Sequence, residues 1–474
     1  MKTQWDRSSQ KNWKQSEMIG LLAISVIISA VFCYRFFLET NGEINSFGLV
    51  LKILESLIYS GILILVIKKE VPSIDSKQFS LTLFLLLIAE LCKLWFGSSV
   101  SYISILVPSA LVLAQTLGSK SALVWIAVTS INWPISPNGS AEGRIIISCL
   151  LASIVALSAG KFRNNNKLIQ VALFIPLSSY ISQNLFLTNK NIYFDNSASE
   201  YFWDPSGQIA SESISLGIII IISILLIPFI ERAFGLITKA RLLELADFER
   251  PLLRRLSKEA PGTFEHTLMI CGLAEEGARS IGANVDLIRT GALYHDIGKL
   301  HAPNWFIENQ EGDLNPHDQL NNPFKSSQIL QGHVDEGIKI AKKYRLSQEI
   351  IKFIPEHQGT LKMGYFFHQA KKINPTVSEN KFRYAGPIPQ SKETAILMLA
   401  DGCEAALRAL DPSSNDLDAN KTIKNIFLSR ICDGQLNNCN LSKTELFIIQ
   451  NSFLNVWKRM RHRRIQYPIS KTTN

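Results

Sequence analysis

Gly291-Ala292-Leu293-Tyr294-His295-Asp296-Ile297-Gly298-Lys299 is the stretch on which the reading of this chain turns. An apolar helical turn delivers an adjacent histidine and aspartate, with a glycine two residues beyond. Imidazole nitrogen beside carboxylate oxygen suits a divalent metal, and an adjacent His-Asp lets one carboxylate bridge two ions. The dipeptide alone is common by chance, so its weight comes from its surroundings. His266, His333, His357 and Asp401 bring the set to six residues of the same ligand chemistry, all in the second half of the chain. Metal-dependent hydrolysis is the expected chemistry.

Working outward, composition divides the chain. Its 474 residues are too many for one ordinary core, and the 47% hydrophobic content is unevenly spread. Residues 18–235 hold repeated apolar runs, whereas the remainder has the charge of a soluble domain. Eight candidate membrane spans fall at 18–38, 47–67, 79–97, 100–118, 121–136, 143–160, 168–187 and 213–234, each near the length a helix needs to cross hydrocarbon. The fifth is the shortest and contains Pro134. A basic leader before the first run also suits a signal peptide. The run is too long for one, however, and continues into Cys33-Tyr34-Arg35 without a small-residue cleavage pattern, so a retained anchor is expected.

Loop charge orients the spans. Lys2, Arg7, Lys11 and Lys14 precede the first, Lys68, Lys69 and Lys77 follow the second, Lys120 follows the fourth, and Lys161, Arg163 and Lys167 follow the sixth. The alternate loops are nearly free of Lys and Arg; 188–212 sets Lys190 against Asp195, Glu200, Asp204 and Glu212. The positive-inside rule places both termini in the cytoplasm, in agreement with an even number of spans. The net charge of +9 resides largely in these flanks and in the C-terminal cluster from Lys458 to Arg464, which favours lipid attraction or a solvated helix face over a nucleic acid polymer. The seven cysteines form no Cys-x-x-Cys pair and read as small apolar residues without disulfides. Within the third span, Glu90 and Lys93 are spaced to pair on one helix face.

The expected organisation is a cytoplasmic tail (1–17), a transmembrane domain of about eight helices (18–235), a connector helix (236–256), a soluble helical domain (257–466) and a C-terminal tail (467–474). The connector follows from leucines at helical spacing: Leu242, Leu243 and Leu245, then Leu252, Leu253 and Leu256. Thr263 is expected to cap a helix carrying His266 in its first turn. Further helices are expected near 285–297, 325–345, 347–357, 391–410, 417–433 and 442–460, with loops at 301–324 and 372–390. No alternating strand pattern and no glycine-rich phosphate loop is present. The fold class is therefore all-α, a multi-span membrane domain followed by a helical metal-binding domain.

The motif series is more specific. Ala260-Pro-Gly-Thr-Phe-Glu-His266, His295-Asp-Ile-Gly-Lys299, Phe306-Ile-Glu-Asn-Gln310, Asn315-Pro-His-Asp318, Glu356-His-Gln-Gly-Thr360, Phe382-Arg-Tyr384 and Ala400-Asp401 together resemble the HD-superfamily hydrolases. Within these the chain closely resembles the seven-transmembrane-HD branch, whose characterised members of the PgpH type are cyclic di-AMP phosphodiesterases. The resemblance implies an HD phosphohydrolase domain on the cytoplasmic side of a bacterial inner or plasma membrane. It also implies two divalent ions, Mn or Fe, and cleavage of cyclic di-AMP to pApA. One ion would be held by His266, His295, Asp296 and Asp401, the second by Asp296, His333 and His357. Asp296 and Lys299 would be catalytic, and Lys299, Arg383, Lys392 and His317 would contact substrate. The implied partners are a cyclic dinucleotide, the lipid bilayer and a second copy of the chain.

Two departures qualify the resemblance. Where the family reads His-His-Gly-Thr, this chain has His357-Gln358-Gly-Thr, which leaves Gln358 as a weaker, neutral ligand. The loop at 39–46 is also too short for the large extracytoplasmic domain of typical members, so an external sensing role is not carried over. Tyr365, Phe366 and Phe367 are read as core and not as an adenine platform. Two alternatives stand beside the cyclic di-AMP reading: hydrolysis of another nucleotide, and a catalytically weakened nucleotide-binding signalling module.

Overall fold

The computed structural model describes residues 15–39, 46–70, 76–96, 103–131, 141–159, 165–193, 205–310, 315–411 and 413–460. These form two compact units that divide between Arg241 and Leu242.

The first unit is a bundle of α1 (Gln15–Glu39), α2 (Ser46–Glu70), α3 (Ser76–Phe96), α4 (Ile103–Thr116), α5 (Ser119–Ile131), α6 (Ala141–Ala159), α7 (Asn165–Tyr193) and α8 (Pro205–Phe234). Each overlaps one of the eight expected spans. The apolar sequences are helical because a helix satisfies its own backbone polar groups where water is absent. α4 is at the centre and is buried along almost its whole length, against α5, α6 and α8. The outer helices instead expose large apolar side chains, such as Leu65 on α2, Leu150 on α6, Leu173 and Phe174 on α7, and Leu225 and Phe229 on α8. In water such a surface would be an aggregation liability, whereas lipid accepts it.

Three buried polar contacts join neighbouring helices. Ser29 meets Ser56 at 3.0 Å, Trp125 Nε1 donates to the Thr82 carbonyl at 3.1 Å, and the Gln115 amide donates to the Ala159 carbonyl. At 14 and 13 residues, α4 and α5 are shorter than a full crossing of about 20 residues. The expected continuation of α5 through Pro134 lies outside the described residues, as does the Lys93 side chain that was to pair with buried Glu90.

The segment expected as one connector helix is two: α9 (Lys239–Leu245) and α10 (Pro251–Glu259). Pro251 is the reason. It forces Arg250 into an extended conformation (φ −58°, ψ 135°) and then serves as the first residue of α10. The last turn of α9 is tied to the soluble unit, where Thr290 Oγ1 and Tyr294 Oη donate to the carbonyls of Leu242 (3.0 Å) and Leu245 (2.8 Å).

The second unit continues with α11 (Pro261–Ile281), α12 (Val285–Tyr294), α13 (Pro316–Leu320), α14 (Pro323–Lys343), α15 (Gln348–Ile351), α16 (Phe353–Glu356), α17 (Gly364–Ile373), α18 (Lys392–Arg408), α19 (Asp416–Cys432) and α20 (Lys443–Met460). Among the described residues the only β-pairing is an isolated bridge between Lys362 and Arg383. α11 is the central helix, packed on α12, α18 and α20. Thr263 does not cap it; Ala260 precedes Pro261 at the start, and Thr263 lies in the first turn. Its amide donates instead to Asn309 Oδ1 at 3.0 Å, a cap supplied from the loop after α12. The loop at 301–324 contains short 3-10 turns and α13. All seven cysteines are free, as expected.

Candidate metal centre

Five elements deliver the six residues. His266 comes from the second turn of α11, His295 and Asp296 from the end of α12, His333 from the middle of α14, His357 from the end of α16, and Asp401 from the middle of α18. A 3-10 turn (Ile297–His301) follows Asp296 and crosses α14 closely. Gly298 permits that crossing, because any Cβ there would overlap the His333 carbonyl oxygen.

Asp296 is at the centre and only 2% exposed. Its Oδ2 is 3.2 Å from His295 Nε2 and 2.8 Å from Lys299 Nζ, and its Oδ1 is 3.5 Å from His333 Nε2 and 3.4 Å from His357 Nε2. Two groups with metal-ligand spacing result, His266 with His295 and Asp296, and Asp296 with His333 and His357. Asp401 Oδ1 adjoins the first, 3.1 Å from His266 Nε2. Gln358 adjoins the second, with its side-chain amide 3.0 Å from His357 Nε2.

Main-chain carbonyls aim three of the rings. Nδ1 of His295, His333 and His357 lies 2.6, 2.6 and 3.1 Å from the carbonyl oxygens of Ala292, Leu330 and Phe353. A carbonyl can only accept, so each Nδ1 carries the proton and each Nε2 turns a lone pair inward. His295 Nε2, His333 Nε2 and Asp296 Oδ1 are fully enclosed without a hydrogen-bond partner among the described residues. Buried acceptors are rarely left so, and acceptors of this kind on either side of the shared Asp296 carboxylate fit divalent cations. His266 is fixed differently: its Nδ1 is 2.7 Å from Glu404 Oε2.

The electrostatics agree. Burial works to raise the Asp296 pKa, yet Lys299 and His295 hold it well below the usual carboxylate range. Burial pushes the imidazole of His333 down to about 4, which keeps it neutral and able to ligate. Burial also opposes charge on His266, but its bonds to Asp401 and Glu404 prevail and raise it to about 10. A cation binding there displaces a proton.

The other expected contacts fare differently. Lys299 adjoins the centre, but its ammonium is held between Asp296 and Glu308 (2.6 Å). Arg383 is committed elsewhere: Nη1 and Nη2 grip Asp433, Nε donates to Glu379, and Nη1 also reaches the Thr360 carbonyl. Its donors are thus occupied within the chain. Lys392 pairs with Glu445 at the start of α18, about 13 Å along the helix axis from Asp401. His317 packs between the rings of Trp305 and Phe366 and donates Nε2–H to the Trp305 carbonyl at 2.9 Å, as part of the loop core. Phe366 is buried core as expected, whereas Tyr365 is exposed.

Glu404 and Glu308 were missed. Glu404 is three residues after Asp401 on one helix, so the spacing alone places both on the same face. Glu308 stands in the quoted Phe306-Ile-Glu-Asn-Gln310 motif, but its partners Lys299 and Thr263 are visible only in three dimensions.

Comparison with known proteins gives two family matches, "HD domain" over residues 263–406 and "7TM receptor with intracellular HD hydrolase" over residues 46–238. The second spans α2 to α8, seven helices, with α1 before it. An uncharacterized protein of Synechocystis sp. is 50% identical over 246 residues, covering 51% of this chain and 30% of that protein. The cyclic-di-AMP phosphodiesterase PgpH of Bacillus subtilis is 32% identical over 457 residues, covering 91% of this chain and 62% of that protein. This chain thus spans less than two thirds of the length of either relative. The crystal structure of the Listeria monocytogenes PgpH HD domain in complex with cyclic-di-AMP is 38% identical, covers 45% of this chain and 99% of that one, and aligns with a TM-score of 0.44.

Proposed function

This chain belongs to the 7TM receptor family with an intracellular HD hydrolase, multi-pass membrane proteins, and from that premise we propose that it is a metal-dependent phosphodiesterase acting on cyclic di-AMP. Water would open one phosphodiester of the ring, leaving the linear product pApA with one new phosphomonoester.

The observation that carries the reading is the position of Asp296 between two histidine groups, with its own Oδ1 and the Nε2 atoms of His295 and His333 buried and without a hydrogen-bond partner. Asp296, His266, His295 and Asp401 would hold one divalent ion, and Asp296, His333 and His357 a second, of Mn or Fe type. When bound, such a pair supplies Lewis acidity towards water and towards the phosphoryl oxygens. The chain's own residues do the rest. Main-chain carbonyls orient three imidazoles, Glu404 orients the fourth, and Lys299 with Glu308 fixes the Asp296 carboxylate. Lys299 thus has a positioning role ahead of the phosphate contact expected from sequence. The distribution of Lys and Arg supports a cytoplasmic N-terminus and a cytoplasmic domain, and the family likeness favours a bacterial inner or plasma membrane.

A second reading has one specific observation behind it. Gln358 meets His357 Nε2 where the family carries a further imidazole, and an amide is the weaker ligand. On that reading the domain binds nucleotide and signals without cleaving it. Full-length protein in detergent, loaded with Mn²⁺ or Fe²⁺ and incubated with a panel of cyclic dinucleotides and linear nucleotides, separates the outcomes. Cleavage of cyclic di-AMP ahead of the others supports the first reading. Preferred cleavage of another nucleotide reassigns the substrate, and tight binding without cleavage at saturating metal supports the second.

A further inference from the structure

Arg430, in the last turn of α19, packs against α18 at the residue after Asp401 and has no role in the scheme above. Its guanidinium lies over Gly402, the residue after Asp401, and a Cβ at 402 would be 3.0 Å from Arg430 Nη2. Glycine at that position admits the arginine.

The nearby carboxylates are already engaged. Asp433 receives Arg383 Nη2 on Oδ1 at 2.9 Å, and Arg383 Nη1 and Gln435 Nε2 on Oδ2 at 3.1 and 2.8 Å. Asp401 Oδ1 is bonded to His266. Arg430 Nε is enclosed and without a hydrogen-bond partner, and among the described residues its guanidinium has no ion pair. Burial lowers its pKa, with the charge of Asp401 acting against that. A guanidinium is a planar fork suited to two oxygens of one anion, and leaving it partly buried and unpaired is costly unless an anion arrives.

Resting on the reading above, we propose that Arg430 is a phosphate-binding residue of this site, gripping two oxygens of a nucleotide phosphodiester beside Asp401. It thereby fills the role that sequence assigned to Arg383.

The test uses full-length protein, wild type, Arg430→Ala and Arg430→Lys, with KM and kcat for cyclic di-AMP, bound metal and melting temperature measured on each. The expected result is a KM raised about tenfold or more in Arg430→Ala, with metal content and melting temperature unchanged. Arg430→Lys, which keeps the charge and loses the fork, falls between. An unchanged KM in an active Arg430→Ala protein overturns this inference and leaves the phosphodiesterase reading standing. Loss of metal or of melting temperature in step with activity in both variants assigns Arg430 to packing and also overturns it. Should the alanine variant not fold, the lysine variant decides, with a raised KM in support and a wild-type KM against. A wild-type protein that cleaves no cyclic dinucleotide overturns both readings together.

Discussion

Replacing Gly298 with alanine tests whether the crossing of the 3-10 turn over α14 sets the metal geometry. The added Cβ would overlap the His333 carbonyl oxygen and lie 2.6 Å from the Gly337 amide nitrogen, where 3.4 Å or more is ordinary contact. Backbone atoms cannot swing aside, so the two elements must separate by at least about 0.8 Å, and the carbonyl demands more. Asp296 Oδ1 and His333 Nε2 start 3.5 Å apart. Two ligand atoms each about 2.1 Å from one ion can be no more than roughly 4.2 Å apart. Passed on to the site, the separation takes this pair to that limit or beyond. His266 and His295 do not depend on α14, so the first group keeps its shape. Gly298→Ala is therefore expected to move bound metal from two ions towards one per chain, with a loss of about 1–3 kcal/mol in stability. Hydrolysis should fall on the order of 100-fold, since displacements of about 1 Å have that effect. Elemental analysis of protein dialysed in limiting Mn²⁺, a melting curve and a cyclic di-AMP cleavage assay read these out. An alanine variant that keeps both ions and the wild-type rate would refute the reasoning.

Asp296→Asn removes charge from both groups at once, and is expected to lose metal and at least about 100-fold in hydrolysis; full activity in that variant sinks the two-metal assignment. Gln358→His restores an imidazole beside His357, so metal retention should rise and activity should gain most when metal is scarce, as a titration with Mn²⁺ would show. An identical metal response in the two proteins would remove Gln358 from the site. Reporters fused before Met1 and after Asn474 should both be cytoplasmic, and a tag within 190–210 accessible from outside; a protected tag there means the spans must be recounted.

Much of this was legible in the sequence because its signals are local. A run of about 20 apolar residues announces a membrane helix by itself. The six metal-type residues were legible because their chemistry is rare in combination. What escaped depended on partners distant in the chain. Arg383 looked like a free fork because Asp433, fifty residues away, is invisible from its neighbourhood. Arg430 drew no notice for the converse reason, since its lack of a partner is a fact of packing. The start of α11 was misread because Asn309, far along the chain, caps it by accepting from the Thr263 amide, where Thr263 itself was expected to be the cap. The break at Pro251 was written in the sequence, but the leucine periodicity continues across it and outweighed it.

The anchoring of Nδ1 on main-chain carbonyls has a consequence for how the site can change. Residues 292, 330 and 353 contribute only their main-chain oxygens, so the aim of His295, His333 and His357 rests on no side-chain hydrogen bond. His266 differs, because its orientation is borrowed from Glu404. Of the four imidazoles it is the one whose Nδ1 partner is a side chain, which makes position 404 the natural dial for the affinity of the first ion.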